Sequence, residues 1–298
     1  MHKYLGEIAA LLAAICWTST AILFEITSRK IGSVAVNILR QIFAFIILCF
    51  YTFITRGLIL PVDATSSTWF WLGISGIIGL FIGDIFLFEA FALISSRVAM
   101  LIMSFVPLLT VFFGWFIIDE KLTIINILGI LLTVSGVLVV AFHKNEDGKY
   151  QLKSKFSKKG LIFAFIGAIG QSMGIIFSKI GIGNYDAFAS NQVRMIIALP
   201  FFILITTYLK KWKDVKQAFY SRRTLGLVVI ASILGPFAGI TLSLIAVQNT
   251  TTAIASTLMA LVPVLILFPS VIFLKQKIKL LDIIGAIISF IGVTLFFL

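Results

Sequence analysis

The sequence has little charge and almost no cysteine or histidine. Charged residues make up 12% of its 298 residues and hydrophobic ones 60%, whereas a soluble domain has roughly 45–50% apolar residues. This balance excludes a soluble enzyme, a coiled coil and a disordered tail. The two cysteines, Cys16 and Cys49, lie inside apolar runs and cannot build a disulfide scaffold or a zinc cluster. We therefore expect no metal and no cofactor.

Long polar segments are also missing. Only three connections, 56–67, 143–159 and 210–223, have appreciable polar content, and none is long enough to fold alone. There is thus no predicted domain that would bind nucleic acid. The two histidines, His2 and His143, lie at the edges of apolar runs, and neither a zinc-protease motif nor a phosphate-binding loop occurs. The sequence therefore predicts no enzyme, and energy for any transport would come from a gradient or a partner.

What the sequence does contain is a series of apolar runs of membrane-spanning length. About 20 mostly apolar residues cross the hydrocarbon of a bilayer as a helix. Ten runs meet this criterion, and they predict an all-α membrane protein embedded as a multi-pass chain in the lipid bilayer of the cell membrane. The runs are 5–24, 34–54, 68–91, 98–118, 122–142, 160–177, 188–209, 224–247, 250–274 and 280–298.

The two halves of the chain are related to each other. At an offset of 154 residues, Asn37 and Arg40 align with Asn191 and Arg194; at 156, Val-Pro at 106–107 aligns with Val-Pro at 262–263. Each copy holds five predicted spans, so the second copy enters the membrane upside down. We expect two inverted five-helix repeats, 1–142 and 160–298, joined by a basic linker at 143–159. Inverted repeats are typical of alternating-access transporters.

Two related stretches carry a family resemblance. The stretch 95–123 contains a small-residue-rich helix with a central proline and is followed by glycines at 129 and 136; the stretch 250–279 is followed by glycines at 285 and 292. This pattern resembles the EamA type of the drug/metabolite transporter superfamily over nearly the whole chain. The family's acidic turn residue is present once, as Glu120, whereas Gln276 stands in the second copy. The resemblance implies export or exchange of a small metabolite.

Two opposite charges are expected to meet inside the hydrocarbon. Arg40 lies about 9 Å deep in the second predicted span, and Asp84 about 10 Å deep in the third, counted from the same membrane side at about 1.5 Å per residue. An ion pair would lower the cost of burying either charge, whether its role is structural or that of a switch. Arg194 matches Arg40 in the repeat, but Ile240 occupies the position that matches Asp84. Arg194 is therefore predicted either to attract an anionic substrate group or to pair locally with Asp186.

Further candidates lie near the middle of their spans. Pro107 and Pro263 each remove a backbone hydrogen bond, which indicates either a bend that opens a gate or a kink satisfied by neighbouring helices. Two polar pairs are candidates for lining a substrate cavity, although packing is the alternative. They are Trp17 with Thr18 in the first copy and Gln171 with Ser172 in the second.

These patterns favour a secondary transporter for a small-molecule substrate such as an amino acid-like solute. The alternatives are a channel for small solutes and an intramembrane enzyme. Proton coupling through Asp84 or Glu89, or coupling to another ion, is compatible with the sequence. Of the 24 Lys and Arg residues, 18 lie in the connections on one side and 4 on the other, which predicts both termini outside. Members of the family are commonly drawn with both termini inside.

Overall fold

The computed structural model describes residues 4–94, 96–141, 157–265 and 280–297. In this part of the chain the regular structure is helical and no strand is present. Among these described residues, seven helices are long and apolar enough to cross a membrane. They are α1 (Leu5–Ile31), α2 (Ser33–Arg56), α3 (Ser66–Ile94), α4 (Val98–Ile118), α6 (Lys158–Ile182), α7 (Ala187–Tyr208) and α8 (Arg222–Asn249).

In the described ranges, three shorter apolar helices lie within the fifth, ninth and tenth predicted spans. They are α5 (Ile124–Ala141), α9 (Thr252–Leu265) and α10 (Leu280–Thr294). Residues 266–274 of the ninth predicted span lie outside the described residues, as does most of the linker at 143–159. The structure thus agrees with an all-helical membrane protein, while the layout of ten spans in two repeats remains a prediction.

Local sequence signals set where the helices begin and end. α1 and α2 are separated by Gly32 alone, whose φ of 83° is accessible to glycine and strained for other residues. α2 ends at Gly57 in the left-handed conformation. Several helices begin at a Ser, Thr or Asp whose side chain accepts a hydrogen bond from a backbone amide of the first turn. These residues are Thr65, Ser157, Asp186, Ser221 and Thr251.

Glycines bring helices of the two halves into close contact. A Cβ placed on Gly136 of α5 would lie 2.5 Å from the carbonyl oxygen of Gly285 in α10, and one on Gly170 of α6 would lie 2.8 Å from Cα of Gly83 in α3. Such separations are accessible only to helices that meet backbone to backbone. The glycines at 79 and 83 therefore serve packing between α3 and α6.

Candidate functional site: a central cavity

A cavity of about 140 Å³ lies between the two halves of the helix bundle. An apolar cavity of roughly 150 Å³ holds a molecule the size of benzene, so the space suits a small organic molecule. Its walls come from α1, α3, α4, α6, α7, α8 and α9 and are mostly apolar. The polar side chains that line it belong to Thr20, Asp84, Ser104, Gln171, Ser178, Arg194, Ser243 and Ser256.

Both candidate gate prolines lie beside breaks in cavity-lining helices. α4, whose first segment extends back to Ser96, is interrupted between Ser96–Met103 and Val106–Ile118, and Pro107 lies in the first turn of the second segment. α9 is interrupted in the same way between Thr252–Met259 and Val262–Leu265, next to Pro263. Since proline cannot donate a backbone hydrogen bond, each ladder stops there. Sequence reasoning predicted bends; the structure has short turns, and residues on both sides of each turn line the cavity.

Asp84 is the centre of a buried polar cluster at the wall of the cavity. Its Oδ2 accepts a hydrogen bond from Nη2 of Arg40, and the two side chains form an ion pair. Its Oδ1 accepts from Nε2 of Gln171 at 2.7 Å. Arg40 is fully buried, its Nε donates to Asn37 at 3.0 Å, and its guanidinium carbon lies 4.4 Å from the ring centre of Phe88. The structure thus brings together the two charges that depth counting placed at one level, and adds Gln171.

Arg194 lies in the same wall, without an ion-pair partner among the described residues. The residue is 6% exposed, and its Nε is buried without a hydrogen-bond partner. A Cβ on Gly79 would lie 3.2 Å from Nη2 of Arg194, so the bare face of α3 provides the room for the guanidinium. The alternative partner, Asp186, instead accepts a hydrogen bond from the amide of Ala189 at the start of α7.

The remaining predicted site residues divide into two groups. Trp17 and Gln171 line the cavity. Thr18 does not, because its hydroxyl donates to the carbonyl of Ala14 one turn back in α1. Ser172 is fully buried and accepts a hydrogen bond from the hydroxyl of Thr110 in α4. Thr18 and Ser172 are not among the residues that line this cavity, and their role in substrate binding stays a prediction.

A second polar cluster closes the end of the bundle at which α1 begins. We call it the N-side cluster, and it consists of Glu7, Lys179, Glu120, Thr250 and Thr252. Glu120, in the turn after α4, accepts hydrogen bonds from the amide and the hydroxyl of Thr252, at 2.8 and 2.5 Å. Lys179 donates to two carbonyls at the end of α8, and Glu7 accepts from the hydroxyl of Thr250 at 2.8 Å. The cluster ties the turn between α8 and α9 to α1, α4 and α6.

A surface bridge joins the halves at the same end. Tyr185 donates from its hydroxyl to Asp63 at 2.7 Å, and Arg56 forms an ion pair with Asp63 at 2.5 Å. The hydrogen bond from Tyr185, with the charge of Arg56, lowers the pKa of Asp63 below its ordinary value. Partial burial and the neighbouring carboxylate raise the pKa of Tyr185 to about 12. Aspartate and phenol are therefore held in the charged and the neutral form at neutral pH.

The helices next to the cavity also contain wider turns. α3 forms a π-helix over Gly76–Gly83, and α8 forms one over Ile233–Gly239. π-helical turns are rare and frequently lie at functional sites. The two segments lie at matching positions of the proposed repeats. Each segment contains two glycines four residues apart, at 79 and 83 in α3 and at 235 and 239 in α8.

Comparisons with known proteins agree with this architecture. The model of the EamA-like transporter family matches residues 4–142 and 158–298. An uncharacterized transporter of Clostridium kluyveri is 22% identical over 296 residues, which cover 96% of this chain and 91% of that protein. The uncharacterized transporter YoaV of Bacillus subtilis is 26% identical over 137 residues, 46% of this chain; the match spans about half, 47%, of its length.

A solved crystal structure has the same fold. It superposes with a TM-score of 0.71 at 19% sequence identity and covers 97% of this chain and 95% of its own. At this identity the likeness concerns the path of the backbone.

Proposed function

Because the chain belongs to the EamA-like transporter family, and is thus a membrane transporter, we propose that it moves a small organic solute by alternating access. The observation that carries the proposal is the central cavity, whose walls come from both halves of the chain. The breaks beside Pro107 and Pro263 lie on this cavity at matching positions. Two halves that rock about one site would require a break in a helix of each half, at matching positions.

The N-side cluster supports a closed state at one end of the bundle. Its hydrogen bonds join Glu7 and Glu120, before the linker, to Thr250 and Thr252, after it. These bonds must break for the halves to separate at that end. We propose that the cluster is the latch of one gate and that transport requires it to open and reform.

Asp84 is the candidate group for proton or ion coupling. Among the described residues it is the acidic side chain that lines the cavity. Glu89, the other candidate, instead accepts a hydrogen bond from the hydroxyl of Ser33 and does not line the cavity. Protonation of Asp84 would release Arg40 and Gln171, which gives a direct link between proton binding and rearrangement of the cavity wall.

Counterflow in proteoliposomes tests the proposal. Vesicles containing the purified protein are loaded with a pool of metabolites, and uptake of labelled metabolites is followed. A carrier predicts saturable uptake that is accelerated by the same solute on the far side. Unitary currents without this acceleration would show a channel and contradict the proposal. Export in the cell membrane follows if cells lacking the protein retain the same solute.

A further inference from the structure

The charges around the cavity do not balance. Arg40 and Asp84 compensate each other through their ion pair. Arg194 is left with a positive charge, is more than nine-tenths buried, and lines the cavity with its Nε unpartnered. Of the described residues that line the cavity, Asp84 is the acidic one, and both of its oxygens are already engaged, by Arg40 and Gln171. The described cavity wall therefore carries one uncompensated positive charge.

A buried charge without a partner is costly, and arginine does not lose its proton in proteins to avoid the cost. Asp84 also attracts Arg194, but one carboxylate carries a single negative charge against two guanidinium groups. Among the described lining residues no second acidic side chain is present, so a negative group that enters with the ligand would compensate Arg194. A planar guanidinium suits a carboxylate, which accepts charge-assisted hydrogen bonds from it. The cavity thus has a binding group for an anion at one point of its wall.

The rest of the cavity specifies the body of the ligand. Apart from Asp84, Gln171, Arg194 and a few hydroxyls, the described wall consists of aliphatic, aromatic and thioether side chains, among them Trp17, Phe24, Phe88, Met103 and Leu244. Moving a compact apolar group from water into this part of the cavity would be favourable in free energy. Among the described lining residues an ammonium group would find hydroxyls but no free carboxylate, since Asp84 is engaged on both oxygens.

We infer that the cavity selects small organic monoanions with an apolar body over zwitterions and cations of the same shape, with Arg194 as the residue that determines this selectivity. The inference rests on the proposed function, because it names the substrate class of the same cavity. It separates a monocarboxylate from the corresponding amino acid, which differ by one ammonium group.

The test uses four compounds with closely similar branched bodies: 4-methylpentanoate, its neutral amide, leucine, and 3-methylbutylamine. Binding to the purified full-length protein is measured by thermal stabilisation at constant ionic strength. The carboxylate should bind on the order of tenfold or more tightly than each of the other three, since only it supplies an uncompensated negative charge. Equal or tighter binding of leucine, the amide or the amine, or stabilisation by none of the four, would overturn the inference.

Variants identify the residue responsible. Arg194→Gln should remove the preference for the carboxylate over the amide, Arg194→Lys should retain part of it, and Arg223→Gln, an exposed arginine outside the cavity, should leave it unchanged. If Arg194→Gln does not fold, the affinities of the four compounds for the wild type and for Arg194→Lys still test whether Arg194 selects the carboxylate. A preference that survives in folded Arg194→Gln would place the anion elsewhere.

Counterflow of the same compounds separates this inference from the proposed function. Binding of the carboxylate without counterflow of any compound would leave the anion site standing and contradict the transport proposal. Counterflow of leucine in preference to the carboxylate would support the transport proposal and contradict the inference of an anion site.

Discussion

Arg40 and Asp84 show how two charges become tolerable inside a membrane protein. Arg40 is fully buried and held by Asp84, Asn37 and the faces of two phenylalanine rings. Desolvation of either charge alone is expensive, while the pair compensates most of the cost. Arg194, by contrast, has no ion-pair partner among the described residues, which is why we infer that a ligand supplies the negative charge.

Removing one member of the Arg40–Asp84 ion pair should destabilise the protein more than removing both. Arg40→Gln or Asp84→Asn strands a buried charge, which typically costs about 3–5 kcal/mol, and should lower folded yield and apparent melting temperature. The double variant should recover a good part of the loss. Thermal unfolding of the four proteins in detergent measures this cycle. Arg29→Gln, at an exposed ion pair, is the control and should have little effect; strict additivity of the two single losses would mean that the pair does not interact.

The stability that the surface bridge contributes should depend on pH in the acidic range. The folded pKa of Asp63 is lowered, so its contribution is present above the unfolded pKa and is lost as the pH falls through the folded one. The pKa of Tyr185 is raised to about 12, so its contribution persists through neutral pH and is lost only as the pH rises towards that value. At neutral pH the free energy of unfolding of the wild type should exceed that of Asp63→Asn by roughly 0.2–1 kcal/mol, the usual contribution of an exposed ion pair.

Melting curves of both proteins from neutral pH down to about pH 3 check this expectation, because the ordinary aspartate pKa is about 3.9. The difference between them should shrink only in the acidic range. A difference that does not change with pH would mean that Asp63 contributes through something other than its charge.

Sequence reasoning reached some site residues and missed others for physical reasons. Arg40 and Asp84 could be predicted to meet because depth in a membrane follows from residue counting. The contact of Glu120 with the amide of Thr252 could not, because backbone donors carry no sequence signal and the two residues are 132 positions apart. Thr18 and Ser172 were assigned to the cavity from their neighbours Trp17 and Gln171, but adjacent residues of a helix point in different directions.

Among the helices, the contact between α5 and α10 depends on glycines, which have no side chain to separate the two backbones. Gly136 faces the carbonyl of Gly285 and the amide of Ser289, and Gly292 faces Thr133. The hydroxyl of Ser289 also donates to the carbonyl of Thr133 at 3.3 Å. The glycines with a spacing of seven, which the sequence links to the family, thus form a helix–helix contact.

A methyl group at this contact should push the two helices apart. Gly136→Ala should destabilise the protein by about 1–3 kcal/mol, the usual cost of overpacking. Gly226→Ala is the matched control, since a Cβ there meets nothing within 4 Å and alanine is the better helix former by up to about 1 kcal/mol. Thermal unfolding should show opposite signs for the two variants. A neutral Gly136→Ala would mean that α5 and α10 lie farther apart.

At the scale of the whole molecule, orientation in the membrane follows from charge. The side with 18 of the 24 Lys and Arg residues includes the short amphipathic helix Trp212–Tyr220, with exposed lysines at 211, 213 and 216. The positive-inside rule places this side in the cytoplasm and the termini outside. The described structure is compatible with either orientation, so the expectation stays a prediction.

Cysteine labelling in intact cells decides the orientation. In a background without Cys16 and Cys49, Val62→Cys should react with an impermeant thiol reagent, and Lys213→Cys should react only after the cells are opened. Both positions are exposed and lie at opposite ends of the bundle. The reverse pattern would place both termini inside, as is commonly drawn for the family.

We propose an alternating-access mechanism in which one cavity faces the two sides of the membrane in turn and the N-side cluster is the latch of one gate. Its most direct test is the accessibility of a cysteine in the cavity, Ser243→Cys in the same cysteine-free background, measured from each side in oriented vesicles. Glu120→Gln weakens the cap on Thr252 and should favour the state open at the N-side. Labelling of Cys at position 243 should then rise from the N-side and fall from the other side. Labelling that rises from both sides, or that changes from neither, would contradict the account.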